Sequence, residues 1–131
     1  MKFKPKRKHK YRAKKVVVDG ITFDSKAEAM YYNHLKVLKK AGVVKNFSRQ
    51  VEYVLLDKLE HPSTGKTVRA IKYVSDFMIA YTNGKSEVVD VKGVVTKDFK
   101  IKAKLSMNKY QVPLTIAKYD YKTGKFTHEY F

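Results

Sequence analysis

The chain has 131 residues, of which 44% are hydrophobic, and this suffices for one folded domain with a single ordinary core. Lysines and arginines number 29 against 12 acids, and the formal charge of +17 favours a polyanionic partner, nucleic acid before membrane. The absence of cysteine excludes disulfides, thiolate zinc sites and a cysteine nucleophile. No apolar run is long enough to span a membrane and none opens the chain, so we expect a cytoplasmic protein that is neither secreted nor membrane-inserted.

Residues 1–15 are strongly basic, and no acid occurs before Asp19. We expect a flexible arm that lies on phosphates, followed by a single domain over residues 16–131. A solubilising tail is the alternative. The arm residues predicted to bind nucleic acid are Lys4, Lys6, Arg7, Lys8, Lys10 and Arg12.

Residues 16–23 predict two short strands about an Asp19-Gly20 turn. Ser25 and Glu28 form a capping box in front of an apolar helical pattern that ends at Gly42. Glu28 lies at the margin of the apolar face and can point toward the sheet, although a capping glutamate needs no catalytic role. The residues predicted on that face are Ala27, Met30, Tyr31, His34, Leu35, Leu38 and Ala41.

The next pattern predicts a strand over residues 45–56, a loop over residues 57–67 and a long strand over residues 68–81. A hairpin then leads to a strand over residues 86–92. Asp90 and Lys92 project to the same side of this otherwise apolar strand, because side chains alternate with period two. Buried charges are costly unless they pair with each other, with a metal or with a substrate.

Asp76 interrupts the preceding strand in the same way. Two carboxylates and a lysine on adjacent strands suit metal-dependent phosphodiester hydrolysis, in which carboxylates hold Mg²⁺ and the lysine orients the attacking water. The alternative is a structural Asp90–Lys92 ion pair with Asp76 closing a turn.

The hairpin loop decides whether the two aspartates meet. A two-residue Asn83-Gly84 loop pairs Phe77 with Asp90 and turns Asp76 to the opposite face. A three-residue loop that includes Thr82, with Gly84 in the left-handed region, pairs Asp76 with Asp90. Both loops are common, so a shared metal site requires the longer one.

Residues 96–110 fit two patterns: apolar and polar residues alternate as in a strand, and the apolar residues also form two stripes at helical spacing. We predict a helix that begins near Thr96 and stops before Pro113. Its lysines Lys97, Lys100 and Lys102 are predicted to face phosphates, with a solvated basic face as the alternative. Residues 114–119 and 125–131 predict two closing strands.

Four motifs resemble those of small phage-encoded members of the PD-(D/E)xK nuclease superfamily, and the resemblance covers about residues 11–117. They are Val18-Asp19-Gly20-Ile21-Thr22-Phe23-Asp24-Ser25-Lys26-Ala27-Glu28-Ala29, Tyr73-Val74-Ser75-Asp76-Phe77, Val89-Asp90-Val91-Lys92-Gly93 and Thr96-Lys97-Asp98-Phe99-Lys100-Ile101-Lys102. The resemblance implies an α/β, restriction-endonuclease-like core with a mixed β-sheet flanked by helices in the order α-β-β-β-α-β.

The resemblance also implies residue roles. Asp76 matches the first acid of the motif, with Ser75 where the superfamily has proline, and Asp90 matches its second acid. Lys92 matches the lysine that positions water, and Glu28 the acid carried on a helix. The metal ligands are then Asp76, Asp90 and the Val91 backbone carbonyl, with Mg²⁺ as cofactor and Mn²⁺ as a substitute.

Small phage members of the superfamily include Holliday junction resolvases, which act as dimers on branched DNA. The resemblance therefore implies a homodimeric DNA endonuclease of recombination, located in the host cytoplasm. A nicking or end-processing nuclease and a non-catalytic basic DNA-binding protein are the alternatives.

Overall fold

The structure, a computed structural model, describes residues 14–131. Two helices and nine strands form in this part of the chain. Their bounds are β1 (Val16–Val18), β2 (Ile21–Phe23), α1 (Lys26–Lys40), β3 (Val44–Leu56), β4 (Leu59–Glu60), β5 (Thr67–Val68), β6 (Ile71–Tyr81), β7 (Ser86–Val91), α2 (Lys97–Tyr110), β8 (Leu114–Asp120) and β9 (Lys125–Tyr130). The basic arm falls almost entirely outside the described residues, including all six of its predicted nucleic-acid contacts.

A five-stranded sheet in the order β3-β6-β7-β8-β9 forms the centre of the fold. Only β7 and β8 run parallel within it, because α2 carries the chain from one end of the sheet back to the other. The remaining neighbours are antiparallel. The predicted mixed α/β class, with a mixed sheet and two helices, is confirmed.

The order of the elements differs from the predicted α-β-β-β-α-β. The β1–β2 hairpin precedes α1, and β9 follows β8 at the edge of the sheet. The residue patterns indicate these strands, but the six-element order leaves them out. The predicted loop over residues 57–67 is also partly wrong, since β4 and β5 pair across a turn that contains Pro62 and Gly65.

Both helices begin where their capping residues predict. The Ser25 hydroxyl accepts a hydrogen bond from the Glu28 amide at 3.1 Å, and the Thr96 hydroxyl accepts one from the Phe99 amide at 3.1 Å. Helix α1 ends one residue before Ala41, and Gly42 follows with a φ of 81°. The helical interpretation of residues 96–110 is therefore confirmed.

Each helix covers its own hydrophobic cluster. The cluster beneath α1 joins this helix to β2 and to one face of the sheet: Phe23, Ala29, Tyr31, Leu35, Val44, Phe77, Ile79, Val89 and Ala117. The cluster beneath α2 consists of Tyr53, Tyr73, Val88, Phe99, Ala103, Leu114 and Ile116. The buried face of α1 differs from the predicted one: His34 on the helix and Ala41 at its C-cap are exposed, whereas Ala29, which was not predicted there, is buried. Neither helix of the described part is long and apolar enough to cross a membrane.

Candidate active site

The β6–β7 hairpin has the three-residue loop. Its strands pair Phe77 with Val89 and Ala80 with Ser86, and the Tyr81 amide donates to the Lys85 carbonyl across the turn at 2.8 Å. Gly84 takes the left-handed conformation with a φ of 90°, as this loop requires. One step beyond the Phe77–Val89 pair, the register brings Asp76 beside Asp90.

Two hydrogen bonds connect these aspartates through the backbone. The Asp76 amide donates to Asp90 Oδ1 at 3.2 Å, and the Val91 amide donates to Asp76 Oδ2 at 2.8 Å. The second oxygen of Asp90, Oδ2, is buried and has no hydrogen-bond partner among the described residues. A buried carboxylate oxygen without a partner is costly, so this atom is the natural place for a cation or a proton.

Asp76 lies where β6 changes faces. Tyr73 packs in the α2 cluster and Phe77 in the α1 cluster, although residues four apart share one face of a regular strand. On the neighbouring strand, Gln50 lies between Arg49, which pairs with Phe77, and Val51, which pairs with Ser75. Gln50 has a φ of 48°, in the left-handed region, and β3 changes faces around it, since Phe47 packs with the α1 cluster and Val51 with the α2 cluster.

Glu28, Asp76 and Asp90 all have raised pKa values, and burial is the main cause in each case. Burial raises the pKa of Asp90, which is 2% exposed, to about 6, against the opposing effects of Lys92 and the Asp76 amide. Burial also raises the pKa of Asp76. The pKa of Glu28 rises to about 7 through burial and through the negative charges of Asp76 and Asp24. Of the two sheet aspartates, Asp76 is the one whose charge acts on the α1 glutamate.

Lys92 follows Asp90 on the same face and lies half-buried against α2. Its Nζ sits 4.7 Å from the centre of the Phe99 ring, within cation–π range. Its positive charge lowers the pKa of both Asp76 and Asp90 relative to the effect of burial alone. Phe99 therefore holds the lysine beside the two carboxylates.

Arg49 belongs to the same site and was not predicted from the sequence. Its guanidinium lies 4.5 Å above the Phe23 ring, and its charge lowers the pKa of Glu28 and Asp76. The sequence signal that could have identified it is weak: a cation in the middle of the strand predicted over residues 45–56. Asp24, which acts on Glu28 and Asp76, was likewise missed.

The oxygen-rich donor set fits a hard divalent cation such as Mg²⁺. Asp76 and Asp90 supply two carboxylates, and the unpartnered Asp90 Oδ2 is available to a ligand. Within residues 14–131, no cluster of three or more His, Asp or Glu side chains is arranged to hold a metal ion. The fit thus rests on the aspartate pair alone.

The predicted phosphate-facing lysines of α2 lie on its surface. Lys97 and Lys100 are exposed, while Lys102 is half-buried and pairs with Asp98 at 3.5 Å in an i,i+4 ion pair. The helix thus presents exposed lysines on the chain segment that follows the Asp90–Lys92 strand.

The fold and the site define a mixed α/β protein in which a buried aspartate, Asp90, and a half-buried one, Asp76, lie together on the sheet with Lys92 next to them in the chain. A family model described as "Protein of unknown function (DUF1064)" matches residues 8–126, and the chain belongs to this family.

Among solved structures, the crystal structure of SSO0001 is similar, with 19% sequence identity and a TM-score of 0.45. The match covers 79% of this chain and 48% of that one, so the chain spans about half the length of SSO0001. No curated protein matches the chain.

Proposed function

We propose that this protein is a metal-dependent DNA endonuclease with a PD-(D/E)xK-type core, which hydrolyses phosphodiester bonds in branched DNA of the Holliday junction type. One observation carries the proposal: the hairpin register sets Asp76 beside Asp90, a buried Asp90 oxygen has no partner among the described residues, and Lys92 follows directly after the end of β7. The charge of +17 supports a polyanionic substrate.

In this proposal Asp76, Asp90 and the Val91 carbonyl hold Mg²⁺, or Mn²⁺ in its place. The cation would supply neutralisation of negative charge on the scissile phosphate and on the leaving oxygen. Burial of the Asp90 carboxyl suits this role, since a carboxylate with few competing partners gains most from a nearby cation.

The remaining residues act on the attacking water and on the substrate. Lys92, held against Phe99, donates a hydrogen bond that orients the water toward phosphorus. Glu28 approaches from α1 and accepts the proton of that water. Arg49 offers a second positive charge for the phosphate, and exposed Lys97 and Lys100 hold the flanking backbone.

The test compares cleavage of labelled four-way junction, nicked, flap and linear duplex DNA in Mg²⁺ or Mn²⁺. The wild-type chain is expected to make paired cuts near the branch point, and Asp90→Asn is expected to abolish them. Glu52→Gln, which changes an exposed carboxylate on β3, serves as the matched control and retains them. Equal cutting by the Asp90→Asn variant would refute the proposal.

Two other results would select the alternatives. Cuts confined to nicked DNA or to ends would identify a nicking or end-processing nuclease. Binding without cleavage in either metal would identify a non-catalytic DNA-binding protein on the same fold. The backbone hydrogen bonds accepted by Asp76 and Asp90 favour this last reading, because they give both carboxylates a structural use.

A further inference from the structure

A second cavity lies beside the candidate active site, past the end of β7. Strand β7 stops at Val91, which pairs with Ala117, while the parallel strand β8 continues to Asp120 and turns into β9. The β8–β9 hairpin therefore extends beyond β7. Between this hairpin, the start of α1 and the loop after Lys92 is a cavity of about 480 Å³, a volume typical of sites for small ligands.

The walls of this cavity combine positive charge with aromatic rings. Two lysines, Lys92 and Lys118, and two tyrosines, Tyr119 and Tyr121, are among the residues that line it, and no carboxylate of the described residues does. Lys118 pairs with Glu129 at 3.2 Å, but these side chains are 47% and 58% exposed. An exposed ion pair of this kind is worth little, so a phosphate can replace Glu129 as the partner of Lys118.

The two tyrosines differ in how firmly they are held. Tyr119 packs between Tyr121 and Phe126, with ring centres 4.7 and 4.8 Å away. Tyr121 rests against Tyr119 on one side and is 65% exposed, although it lines the cavity. A supported but exposed ring is a surface on which a nucleobase can stack whatever its identity.

We infer that this cavity binds an unpaired nucleotide next to the cleaved bond, with its base stacked on Tyr121 and its phosphate held by Lys118. The inference rests on the proposed function, because Lys92 lines both the cavity and the candidate active site. A base inside a duplex is stacked on its neighbours and unavailable, whereas branch points and splayed ends offer free bases. The cavity thereby gives the nuclease a means of selecting branched over linear DNA.

The test measures binding by the full chain in Ca²⁺, so that no cleavage is needed. The probes are a splayed-arm DNA with 2-aminopurine at an unpaired position beside the fork and a fully paired duplex of the same sequence. The wild-type chain is expected to quench the 2-aminopurine fluorescence by stacking. Tyr121→Ala is expected to lose the quenching and to bind the splayed DNA on the order of tenfold more weakly, with duplex affinity unchanged.

Two further variants separate stacking from general effects. Tyr121→Phe retains the ring and is expected to behave as wild type. Tyr130→Ala removes a tyrosine that is 81% exposed on β9 and does not line the cavity, so it is the matched control and is expected to change nothing. Thermal denaturation confirms that each variant is folded.

Three outcomes would overturn the inference. They are normal quenching by Tyr121→Ala, an equal loss of affinity for splayed and duplex DNA in Tyr121→Ala, and the same loss of quenching and affinity in Tyr130→Ala. The result is distinguishable from failure of the proposed function. If cleavage depends on Asp90 but Tyr121→Ala behaves as wild type, the nuclease proposal stands and nucleotide binding in the cavity is rejected. If quenching depends on Tyr121 but no metal supports cleavage, nucleotide binding in the cavity stands and the nuclease proposal is rejected.

Discussion

Asp90→Asn should change how the stability of the protein depends on pH in the absence of metal. The raised pKa of Asp90 means that the folded state holds its proton more tightly than the unfolded chain does. The resulting stabilisation is fully present below the unfolded value of 3.8 and is lost as the pH rises through about 6. The ionised carboxylate thus destabilises the fold in neutral and alkaline solution.

The magnitude follows from the size of the rise in the pKa of Asp90. Because one pKa unit corresponds to about 1.4 kcal/mol, a rise from 3.8 to about 6 lowers the free energy of unfolding by roughly 3 kcal/mol at high pH. About 2 kcal/mol of this loss falls between about pH 4 and about pH 8. Because asparagine cannot ionise, the Asp90→Asn variant does not undergo this loss. Its free energy of unfolding relative to wild type should therefore rise by that amount over the same pH range.

The assay is chemical denaturation in EDTA at several pH values. Asparagine keeps an oxygen for the Asp76 amide but places an amide nitrogen in the unpartnered Oδ2 position, which costs about 1–3 kcal/mol independently of pH. The informative quantity is therefore the change with pH of the difference between variant and wild type. Asp76 and Glu28 are present in both proteins, so their contributions to the pH dependence cancel to first order in this difference. A difference that stays flat with pH would refute the burial argument, and Glu52→Gln on the protein surface should show such a flat difference.

Two further predictions concern the metal and Lys92. Saturating Mg²⁺ at about pH 8 should raise the melting temperature of the wild type by several degrees, since a ligand at about 100 times its Kd adds about 2.7 kcal/mol, and EDTA should reverse the rise. Asp76→Asn should abolish the response; an equal response in the variant would place the cation elsewhere. Phe99→Leu removes the ring beneath Lys92 and should lower kcat about threefold to tenfold with little change in KM. Phe131→Leu, whose ring contacts Phe99, is the matched control for lost packing, and an equal fall in kcat there would remove the positioning role from Phe99.

Local signals in the sequence were sufficient for most of the fold. Ser25 and Thr96 cap their helices because a side-chain oxygen satisfies an otherwise free amide, and this requirement is visible in the sequence alone. Asn83-Gly84 identified the hairpin, but two loop lengths remained open and place Asp76 on opposite faces. The choice between them depends on how β6 and β7 pack within the whole sheet, which local spacing does not specify.

The parts of the site that escaped prediction depend on contacts between distant segments. Arg49 joins the carboxylates only because β3 pairs with β6 and Phe23 supports its guanidinium from another strand. The cavity lined by Tyr121 exists only because β8 extends beyond the end of its parallel partner β7. Neither relation leaves a periodic pattern in the sequence.

The change of face at Asp76 explains how one site can contain residues from both sides of the sheet. Glu28 lies on α1, whereas Lys92 packs against Phe99 of α2, and a regular strand would keep these side chains apart. The change of face in β6 at Asp76, matched by left-handed Gln50 on β3, lets one carboxylate interact electrostatically with both. A glutamine in the left-handed region costs on the order of 1 kcal/mol, and the pairing of Arg49 and Val51 with β6 holds it there. Such strain concentrates at functional sites, and here it coincides with the point where the two cores and the candidate catalytic residues meet.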